Sequence, residues 1–363
     1  MSSSDKTIKA ISPADGPVAV TGASGYIGSW IVQDMLDQGY QVRACVRDAV
    51  NPEKVDHLLA MKQAGYRGIL ELHEADLHAV GSYDNAFKDC SAVIHTGAAV
   101  GYNKESPQEV YDGCFTEVGH VLDSAVKSNA LKRFIFTSSF AAVGHPRPKG
   151  YVFTEKDWCG DNEEAYRGAW SEDNIAVNRD IAYAKAKART EKMIYSAADI
   201  GSFEAMAILP LHVVGPLMCA NHDQSWSWQN CIKFMLRGKS YIKSKGGRML
   251  WNMVDVRDTA RAHRLCAEST LAGNGSRYIL SAMDRSGEMF THQLQAVLAG
   301  LFPGIETVGG EEMSGDRPVQ LTHDGPRAYA LLAKQELGLD GYAIEDTLRA
   351  TGDSYLQLNL LHT

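Results

Sequence analysis

A short apolar strand, three evenly spaced glycines and a helix follow one another near the start of the chain. Residues 18–21 are mostly apolar with β-branched side chains, which is typical of a strand. Gly22, Gly25 and Gly28 come next at intervals of three, and residues 27–36 place apolar side chains at helical spacing. Because a helix N-terminus presents unpaired N–H groups and a partial positive charge, this succession predicts an anion site, best suited to a pyrophosphate. An ordinary glycine turn is the alternative.

Each glycine has its own role in this interpretation. Gly22 lets the chain turn tightly, Gly25 lets the backbone approach an anion, and Gly28 lets the helix pack on the strand. The predicted cofactor-binding residues of the turn are Gly22, Ser24, Gly25, Tyr26 and Ile27.

Strand and helix patterns alternate over the following residues. Further strands are predicted at 41–46, 70–75, 92–95, 133–136 and 204–209, and helices at 52–63, 82–88, 108–128 and 180–198. This alternation predicts an α/β fold, a Rossmann-type doubly wound parallel sheet covered by helices on both faces. Since ligands of such sheets bind beyond the carboxyl ends of the strands, Gly97 and Ala98, after the fourth strand, are further candidates for cofactor contact.

The sequence divides into a dinucleotide-binding domain and a smaller lobe. Residues 1–14 are polar and lack the pattern of a secretory signal, which predicts a disordered tail. The Rossmann domain is expected over 15–210, with a contribution from 251–281. Regular alternation ends there, and residues 211–250 and 282–363 are expected to form a C-terminal substrate-binding lobe.

Composition argues against several classes of partner. The net charge of −8 disfavours nucleic acid, whose binding proteins carry a basic face. With 45% hydrophobic residues the chain can bury a substantial core, yet no apolar run is long enough to span a membrane. The seven cysteines include no C-x-x-C pair, which predicts reduced thiols and a cytoplasmic location. The histidines show no metal-ligand spacing, so no metal site is predicted.

Tyr183 and Lys187 stand four residues apart in a predicted helix, after a long loop at 141–180. That spacing puts both side chains on one helical face. An ammonium beside a phenol lowers the phenol's pKa from about 10 towards neutral, so Tyr183 can exchange a proton with a carbonyl or alcohol oxygen. Ser139, at the end of the fifth predicted strand, can donate to the same oxygen. Tyr-x-x-x-Lys is also common on solvated helices; Lys185 faces away from Tyr183 and is interpreted as a surface residue.

The end of the second strand indicates which nicotinamide dinucleotide is bound. NAD-specific sites place there a carboxylate that accepts from the ribose 2′-hydroxyl, but this chain has Val46 followed by Arg47, with Lys54 one turn into the next helix. A guanidinium and an ammonium attract a 2′-phosphate, so NADP(H) is predicted. Asp48, past the strand end, is the one contrary residue; a merely solvated Arg47 would leave the missing acid unexplained.

These motifs, in this order, resemble those of the extended short-chain dehydrogenases/reductases, and within them the dihydroflavonol reductase, cinnamoyl-CoA reductase and yeast-type carbonyl reductase group. The matching segments are residues 21–30, 42–48, 75–77 and 136–139, Tyr183 with Lys187, and residues 213–216 and 254–258. The resemblance implies that Ser139, Tyr183 and Lys187 are the catalytic residues and that Lys187 also holds the nicotinamide ribose. It further implies adenine contacts at Asp76 and Leu77 and a nicotinamide lining at Pro210 and Val213.

The implied reaction is reduction of an aldehyde or ketone to an alcohol, with hydride transfer from NADPH and Tyr183 as the proton donor. The expected partner is a small-molecule carbonyl substrate, and the chain is expected to act as a monomer or homodimer. Cinnamoyl-CoA reductases carry Asn-Trp-Tyr-Cys-Tyr around the catalytic tyrosine; residues 180–184 here read Asp-Ile-Ala-Tyr-Ala, which disfavours a CoA thioester. Plant dihydroflavonol reductases have an asparagine where this chain has Gly144, which disfavours a dihydroflavonol.

The substrate pocket is the least specified part of the site. Its candidates are His145, Trp170, His212, Met218, Trp226 and Trp228, for each of which core packing is an equal alternative. Two other functions remain open. One is a hydroxysteroid dehydrogenase or nucleotide-sugar epimerase-type enzyme on the same fold, and the other is a non-catalytic NADP-sensing regulator, although such regulators typically lose the tyrosine or the lysine.

Overall fold

A computed structural model describes residues 9–97, 106–144, 150–159, 179–224, 227–239, 250–281, 287–307 and 327–361. Its strands are β1 Val18–Thr21, β2 Gln41–Val46, β3 Ile69–Glu74, β4 Ala92–His95, β5 Arg133–Thr137, β6 Val152–Phe153, β7 Glu204–Pro210, β8 His212–Val214, β9 Leu250–Asp255, β10 Arg277–Leu280, β11 Glu288–Phe290 and β12 Arg327–Ala328. Its helices are α1 Tyr26–Asp37, α2 Pro52–Gln63, α3 Asp84–Phe87, α4 Pro107–Val126, α5 Arg179–Gly201, α6 Trp228–Leu236, α7 Val256–Glu268, α8 Thr291–Leu301, α9 Leu331–Leu337 and α10 Ile344–Gln357.

Within the described residues, the main sheet has seven parallel strands in the order β10-β7-β5-β4-β1-β2-β3. The chain runs outward from β1 to β3 and then returns to pair β4 with the other side of β1. Val20 therefore lies in register with Ala44 on one side and Ile94 on the other. This arrangement confirms the predicted doubly wound α/β fold, and it opens a crevice above β1 and β4 where strand order reverses.

Apolar residues on both faces of this sheet form two cores. On one face, Val20, Ile31 and Tyr278 are fully buried in a cluster that joins β1, α1 and β10. On the other face, Phe134 and Ile194 lie in a second cluster beneath α4 and α5. The central strands β1, β4 and β5 are buried along their whole length, as in parallel sheets covered on both faces, whereas the edge strand β3 is partly exposed.

Strands β8, β9 and β11 build a separate small sheet, while β10, which lies between β9 and β11 in the chain, belongs to the main sheet. β8 and β9 pair in parallel and β11 pairs antiparallel with β9, beneath α6, α8 and α10. Trp251, fully buried, lies in the centre of this core and donates from its indole nitrogen to Thr291 Oγ1 at 3.1 Å. α7 then packs on α1, and β10 completes the main sheet beside β7.

The structure differs from the sequence-based prediction at the N-terminal end. From Lys9 onward the tail expected over 1–14 lies on the domain, because Ile11 is buried and its N–H donates to the carbonyl of Ala267 at 3.1 Å. Residues Pro13–Asp15 form a short 3-10 turn. The buried Ile11 side chain anchors this otherwise polar segment. The polar composition of the segment as a whole predicts disorder and does not reveal this one contact.

Three other features bear on expectations from the sequence. The segment predicted as a long loop contains β6, which pairs with β12, within its described part. No helix among the described residues is apolar enough over sufficient length to cross a bilayer. All seven cysteines are free thiols, at positions 45, 90, 114, 159, 219, 231 and 266.

Candidate active site

The glycine-rich turn between β1 and α1 has no room for side chains at two of its positions. Gly22 adopts a left-handed φ of +62°, and a Cβ there would lie 2.7 Å from the Cα of Gly97 at the end of β4. A Cβ on Gly28 would lie 2.2 Å from the carbonyl oxygen of Gly22. Both glycines therefore serve the packing of strand, turn and helix that the sequence predicts.

The N-terminus of α1 is open. Gly25 precedes the helix, is exposed, and no side chain caps the first turn. Ser24 and Ile27 are partly exposed beside it, and Tyr26 turns away to donate its hydroxyl to the carbonyl of Gly215 at 2.8 Å. Uncapped N–H groups at the start of a 12-residue helix, with bare backbone around them, fit the diphosphate of a dinucleotide.

The residues that follow β4 form hydrogen bonds with Thr21, at the start of the same turn. Thr96 donates its hydroxyl to the carbonyl of Thr21 at 2.8 Å, and the N–H of Gly97 donates to Thr21 Oγ1 at 3.2 Å. These bonds tie the strands on the two sides of the crevice to each other. Gly97 thus lies against the glycine-rich turn, whereas Ala98 lies outside the described residues.

Two exposed cations follow the second strand. Arg47 and Lys54 are exposed, and neither forms an ion pair with any residue that the structure describes. The carboxylate of Asp48 is occupied locally, since Oδ1 accepts from the N–H groups of Val50 and Asn51 at 3.1 Å each. Asp48 therefore stabilises the turn that leads into α2. The charges of Arg47 and Lys54 fit a 2′-phosphate.

The residues predicted to contact adenine lie after β3, on the same edge of the sheet. Asp76 accepts from the N–H of His78 at 3.0 Å, and its own N–H donates to Ser82 Oγ at 2.7 Å. The Leu77 side chain would lie 3.4 Å from a Cβ added to Gly97. Both residues are partly exposed.

Lys187 links helix α5 to the end of β5. Its side chain is buried, and Nζ donates to the carbonyl of Thr137 at 3.0 Å. The same Nζ lies 5.8 Å from the ring centroid of Tyr183 and 4.7 Å from that of Phe136. The structure thus brings Tyr183 and Lys187 to the strand end that carries Ser139. We call Thr137, Ser139, Tyr183 and Lys187 the β5–α5 corner.

Ser139 is bonded in a way that leaves its proton available. It precedes a short 3-10 turn and its Oγ accepts from the N–H of Ala141 at 3.1 Å. A hydroxyl that accepts this bond keeps its own hydrogen for another acceptor. The residue is partly exposed, at the carboxyl edge where ligands of such sheets bind.

Burial sets the protonation of the groups around Lys187. Burial lowers the pKa of Lys187 below that of an ordinary lysine, while Cys114, Glu191 and Glu117 act in the opposite direction. His95, at the end of β4, has its pKa lowered to about 3 by burial and further by the Lys187 charge. His95 is therefore neutral at pH 7, and Lys187 is the cation nearest to the Tyr183 ring for which a contact is described.

His263, which was not predicted from the sequence, contacts Thr137 of the β5–α5 corner. The hydroxyl of Thr137 lies 2.7 Å from Nε2 of His263, and Nδ1 of His263 lies 2.7 Å from the carbonyl of Thr259. Because that carbonyl can only accept, Nδ1 carries the ring proton and Nε2 accepts from Thr137. His263 thus holds in position Thr137, whose carbonyl accepts from Lys187. The place of His263 in the sequence gives no indication of this role.

The predicted nicotinamide lining and pocket residues are partly described. Pro210 ends β7 and is buried, and Val213 in β8 lies in register with Val254. The His212 ring centroid lies 4.3 Å from that of Trp228, and Met218 is partly exposed nearby in the sequence. The predicted pocket residues His145, Trp170 and Trp226 lie outside the described residues.

The structure also brings together side chains where no metal site was predicted. His57 of α2 and Cys219 and His222, from the segment after β8, have ligand atoms within 4.8 Å of one another. Sequence spacing missed this cluster because α2 and that segment are far apart along the chain. Only the Cys-x-x-His spacing of residues 219 and 222 could have indicated it.

Comparison with known proteins identifies the family. Residues 18–280 match the profile of the family described as NAD dependent epimerase/dehydratase. A cinnamoyl-CoA reductase of Medicago truncatula is 30% identical over 93% of this chain and 94% of its own length. A dihydroflavonol 4-reductase of Gerbera hybrida is 33% identical over 79% of this chain and 72% of its own length.

Among solved structures, a Candida albicans protein named Gre2, crystallised in complex with NADPH, is 22% identical with a TM-score of 0.77 over 94% of this chain and 99% of its own. At that identity the likeness concerns the fold. The family match covers most of the chain, and the Medicago truncatula relative, which aligns with 93% of this chain, supports the assignment independently. The chain therefore belongs to the NAD dependent epimerase/dehydratase family, within the extended short-chain dehydrogenases/reductases, and is an NAD(P)-dependent oxidoreductase.

Proposed function

We propose that the protein reduces an aldehyde or ketone to an alcohol with NADPH, and that Tyr183 is the proton donor. One observation carries the proposal: the buried Nζ of Lys187, bonded to Thr137, lies 5.8 Å from the Tyr183 ring centroid. An ammonium in that position stabilises the phenolate that remains after Tyr183 gives up its proton. Ser139, two residues beyond Thr137, supports the proposal because its hydroxyl hydrogen is available for the substrate.

NADPH is the proposed form of the cofactor. Arg47 and Lys54 are exposed cations without an ion-pair partner among the described residues, and the carboxylate of Asp48 is occupied by backbone N–H groups. A dianionic 2′-phosphate gains charge-assisted hydrogen bonds from such cations, whereas a 2′-hydroxyl gains little. The Candida albicans neighbour, which is complexed with NADPH, agrees with this choice.

When bound, the dinucleotide supplies a hydride from C4 of its reduced nicotinamide. The chain's own residues act on the carbonyl oxygen. Ser139 donates its hydroxyl hydrogen to that oxygen as negative charge develops there. Tyr183 then transfers its phenolic proton to the same oxygen, which completes the alcohol. Lys187 donates one N–H to Thr137 and keeps two, which hold the resulting phenolate and, by resemblance to the family, the nicotinamide ribose.

The substrate is proposed to bind between the β5–α5 corner and the C-terminal lobe of residues 211–250 and 282–363. His212 lies against Trp228 at 4.3 Å and Trp251 at 5.6 Å between ring centroids, and Trp228 is exposed. The exposed Trp228 ring, packed on the buried His212 of β8, favours a carbonyl compound with a flat or apolar body. Free thiols at all seven cysteines agree with a reducing compartment, and we propose the cytoplasm.

The proposal is tested by mixing the protein with NADPH or NADH and a panel of activated aldehydes and ketones, and following loss of the reduced nicotinamide absorbance. We expect turnover that prefers NADPH, and a large loss of kcat in Ser139→Ala. Ser196→Ala, an exposed serine on α5, is the matched control and should react as the wild type does.

Two outcomes would contradict the proposal. Tight NADPH binding without turnover of any carbonyl would indicate an NADP-sensing protein. Turnover with NADH preferred, on a hydroxysteroid or a nucleotide sugar, would indicate the other oxidoreductases built on this fold.

A further inference from the structure

A second cluster of reactive side chains lies outside the β5–α5 corner. His57 extends from α2, while Cys219 and His222 belong to the segment that follows β8. One donor atom from each lies within 4.8 Å of the other two. The imidazole centroids of the two histidines are 5.1 Å apart, with the rings nearly perpendicular.

In His57 and Cys219, the atoms that would bind a metal ion have few other partners among the described residues. Nδ1 of His57 is buried and has no hydrogen-bond partner in the described part of the chain. The Cys219 thiol is free, and the N–H groups of Asn221 and His222 point at its sulfur. Burial raises the pKa of this thiol and the two N–H groups oppose that rise, whereas a coordinating metal ion deprotonates a thiol outright.

Hydrogen bonds of the two imidazoles show where a lone pair is available. Nδ1 of His222 accepts from the N–H of Met218 at 3.3 Å, so this nitrogen carries no proton and has a lone pair for a metal ion. Ser29 Oγ lies 2.8 Å from Nε2 of His57 and 3.3 Å from Nε2 of His222, so it bridges the two rings.

We propose that His57, Cys219 and His222 bind a borderline-soft divalent cation of the zinc class, with water or Ser29 Oγ completing the coordination. Two imidazole nitrogens and one thiolate are ligands that Zn²⁺ prefers. Ligand atoms of a tetrahedral zinc site lie about 3.5 Å apart, so the cluster contracts by about 1 Å on binding. This proposal is independent of the reductase function.

The cost of that contraction is small at His222. Its Nδ1 accepts a long bond, 3.3 Å, from the N–H of Met218. If Nδ1 binds the metal, this bond is replaced directly. If Nε2 binds, the ring proton moves to Nδ1, so the bond from Met218 and the contact of Nε2 with Ser29 Oγ at 3.3 Å are both lost. Binding through Nδ1 costs less, because only one long hydrogen bond is exchanged for a metal bond.

A bound ion would cross-link the segment around residue 220 to α2, next to the first turns of α1. Asn221 already donates its side-chain amide to the carbonyl of Glu53, and the His222 ring edge meets Tyr26 at 5.8 Å between centroids. A metal bound there stabilises the native state by mass action, because the three ligands are assembled only when the chain is folded.

The test uses the full chain after treatment with a chelator, titrated with Zn²⁺ against a fluorescent zinc indicator. We expect one equivalent to bind and the midpoint of thermal unfolding to rise. Cys219→Ser and His222→Gln should each weaken binding by about 100-fold or more. The matched controls Cys159→Ser and His78→Gln, outside the cluster, should bind as the wild type does. Stoichiometric binding that survives both cluster substitutions would overturn the assignment, as would no binding by the wild type.

A spectroscopic measurement on the unaltered protein keeps the proposal testable if a variant fails to fold. Co²⁺ in place of Zn²⁺ should give the charge-transfer absorption of a cobalt–thiolate bond. A Co²⁺ complex without that absorption would show that Cys219 is not a ligand and would contradict the proposal. Because neither measurement requires NADPH or a carbonyl, failure here leaves the proposed reductase function untouched.

Discussion

The glycine-rich turn and the β5–α5 corner lie on the same edge of the sheet but are built from different groups. Backbone forms the turn, where Gly22 and Gly28 leave no room for a Cβ and no side chain caps α1. Side chains form the corner, where Lys187 is buried on the carbonyl of Thr137 beside the Tyr183 ring. N–H groups of a helix terminus hold an anion but do not titrate, whereas a phenol beside an ammonium exchanges protons.

Damage to the two regions should therefore have different consequences. A change at the turn should weaken cofactor binding and stability together, because the same backbone packing serves both. A change at the corner should lower the rate while the cofactor still binds and the fold persists. The substitutions that follow either separate these effects or show that they cannot be separated.

Replacing Tyr183 by Phe should have the largest effect. Without the phenolic proton the developing alkoxide has no general acid, and we expect kcat to fall about 10³-fold, equivalent to about 4 kcal/mol of transition-state stabilisation. The dissociation constant for NADPH, measured by fluorescence titration, should change less than about threefold. Tyr195→Phe, on the same helix, is the control and should keep its kcat. An equal loss in both variants would mean that helix packing, and not proton transfer, had been disturbed.

Gly28→Ala should come next, and it should act on stability. A Cβ there would lie 2.2 Å from a backbone oxygen that cannot move independently, so we expect a loss of about 3 kcal/mol in the free energy of unfolding and weaker NADPH binding. Gly119→Ala in α4 is the matched control, because nothing lies within 4 Å of its added Cβ. That control should be neutral or more stable. Urea unfolding measures both, and a Gly28 variant as stable as the wild type would refute the packing role.

Arg47→Ala should change the choice of cofactor. Loss of a charge-assisted bond to the 2′-phosphate should raise the KM for NADPH about tenfold, or about 1.4 kcal/mol, and leave the KM for NADH nearly unchanged. Lys62→Ala, an exposed lysine at the other end of α2, should alter neither value. If both KM values rose in parallel, Arg47 would not be reading the 2′ position.

The smallest effect concerns His95 and pH. Its pKa is about 3 in the folded protein, held down by burial and by Lys187, and about 6.5 when unfolded. The unfolded chain therefore binds the extra proton, so the stability that neutral His95 contributes is present above pH 6.5 and is lost as pH falls below it. From pH 6.5 to 5.5 this loss should be about 1 kcal/mol, absent in His95→Gln. Exposed His78→Gln should retain the wild-type slope in urea unfolding.

Those parts of the fold that depend on local pattern could be predicted from the sequence. Strands β2 and β4 have the predicted bounds, 41–46 and 92–95. The apolar run of β4 and the alternation of β2, which becomes apolar towards its end, are both typical of strands. The alternation of strands with helices also predicted a parallel, doubly wound sheet, which the structure confirms. The buried Ile11 could not be predicted, because it docks on Ala267, far away in the chain.

The candidate site shows the same limit more sharply. A four-residue spacing indicated that Tyr183 and Lys187 share a helical face, but the bond from Lys187 to Thr137 crosses 50 positions. The support of Thr137 by His263 crosses 126 positions and depends on which ring nitrogen carries the proton. Such contacts follow from tertiary packing, which a single sequence does not encode in any local period.

A crystal structure of the complex with NADP⁺ and an inert alcohol product would test most directly whether backbone turn and side-chain corner act on one ligand. We expect the diphosphate on the N–H groups that begin α1. We also expect the hydroxyls of Tyr183 and Ser139 both within roughly 3 Å of the alcohol oxygen beside nicotinamide C4. A nicotinamide bound away from Tyr183, or a diphosphate bound elsewhere than the glycine-rich turn, would contradict this assignment.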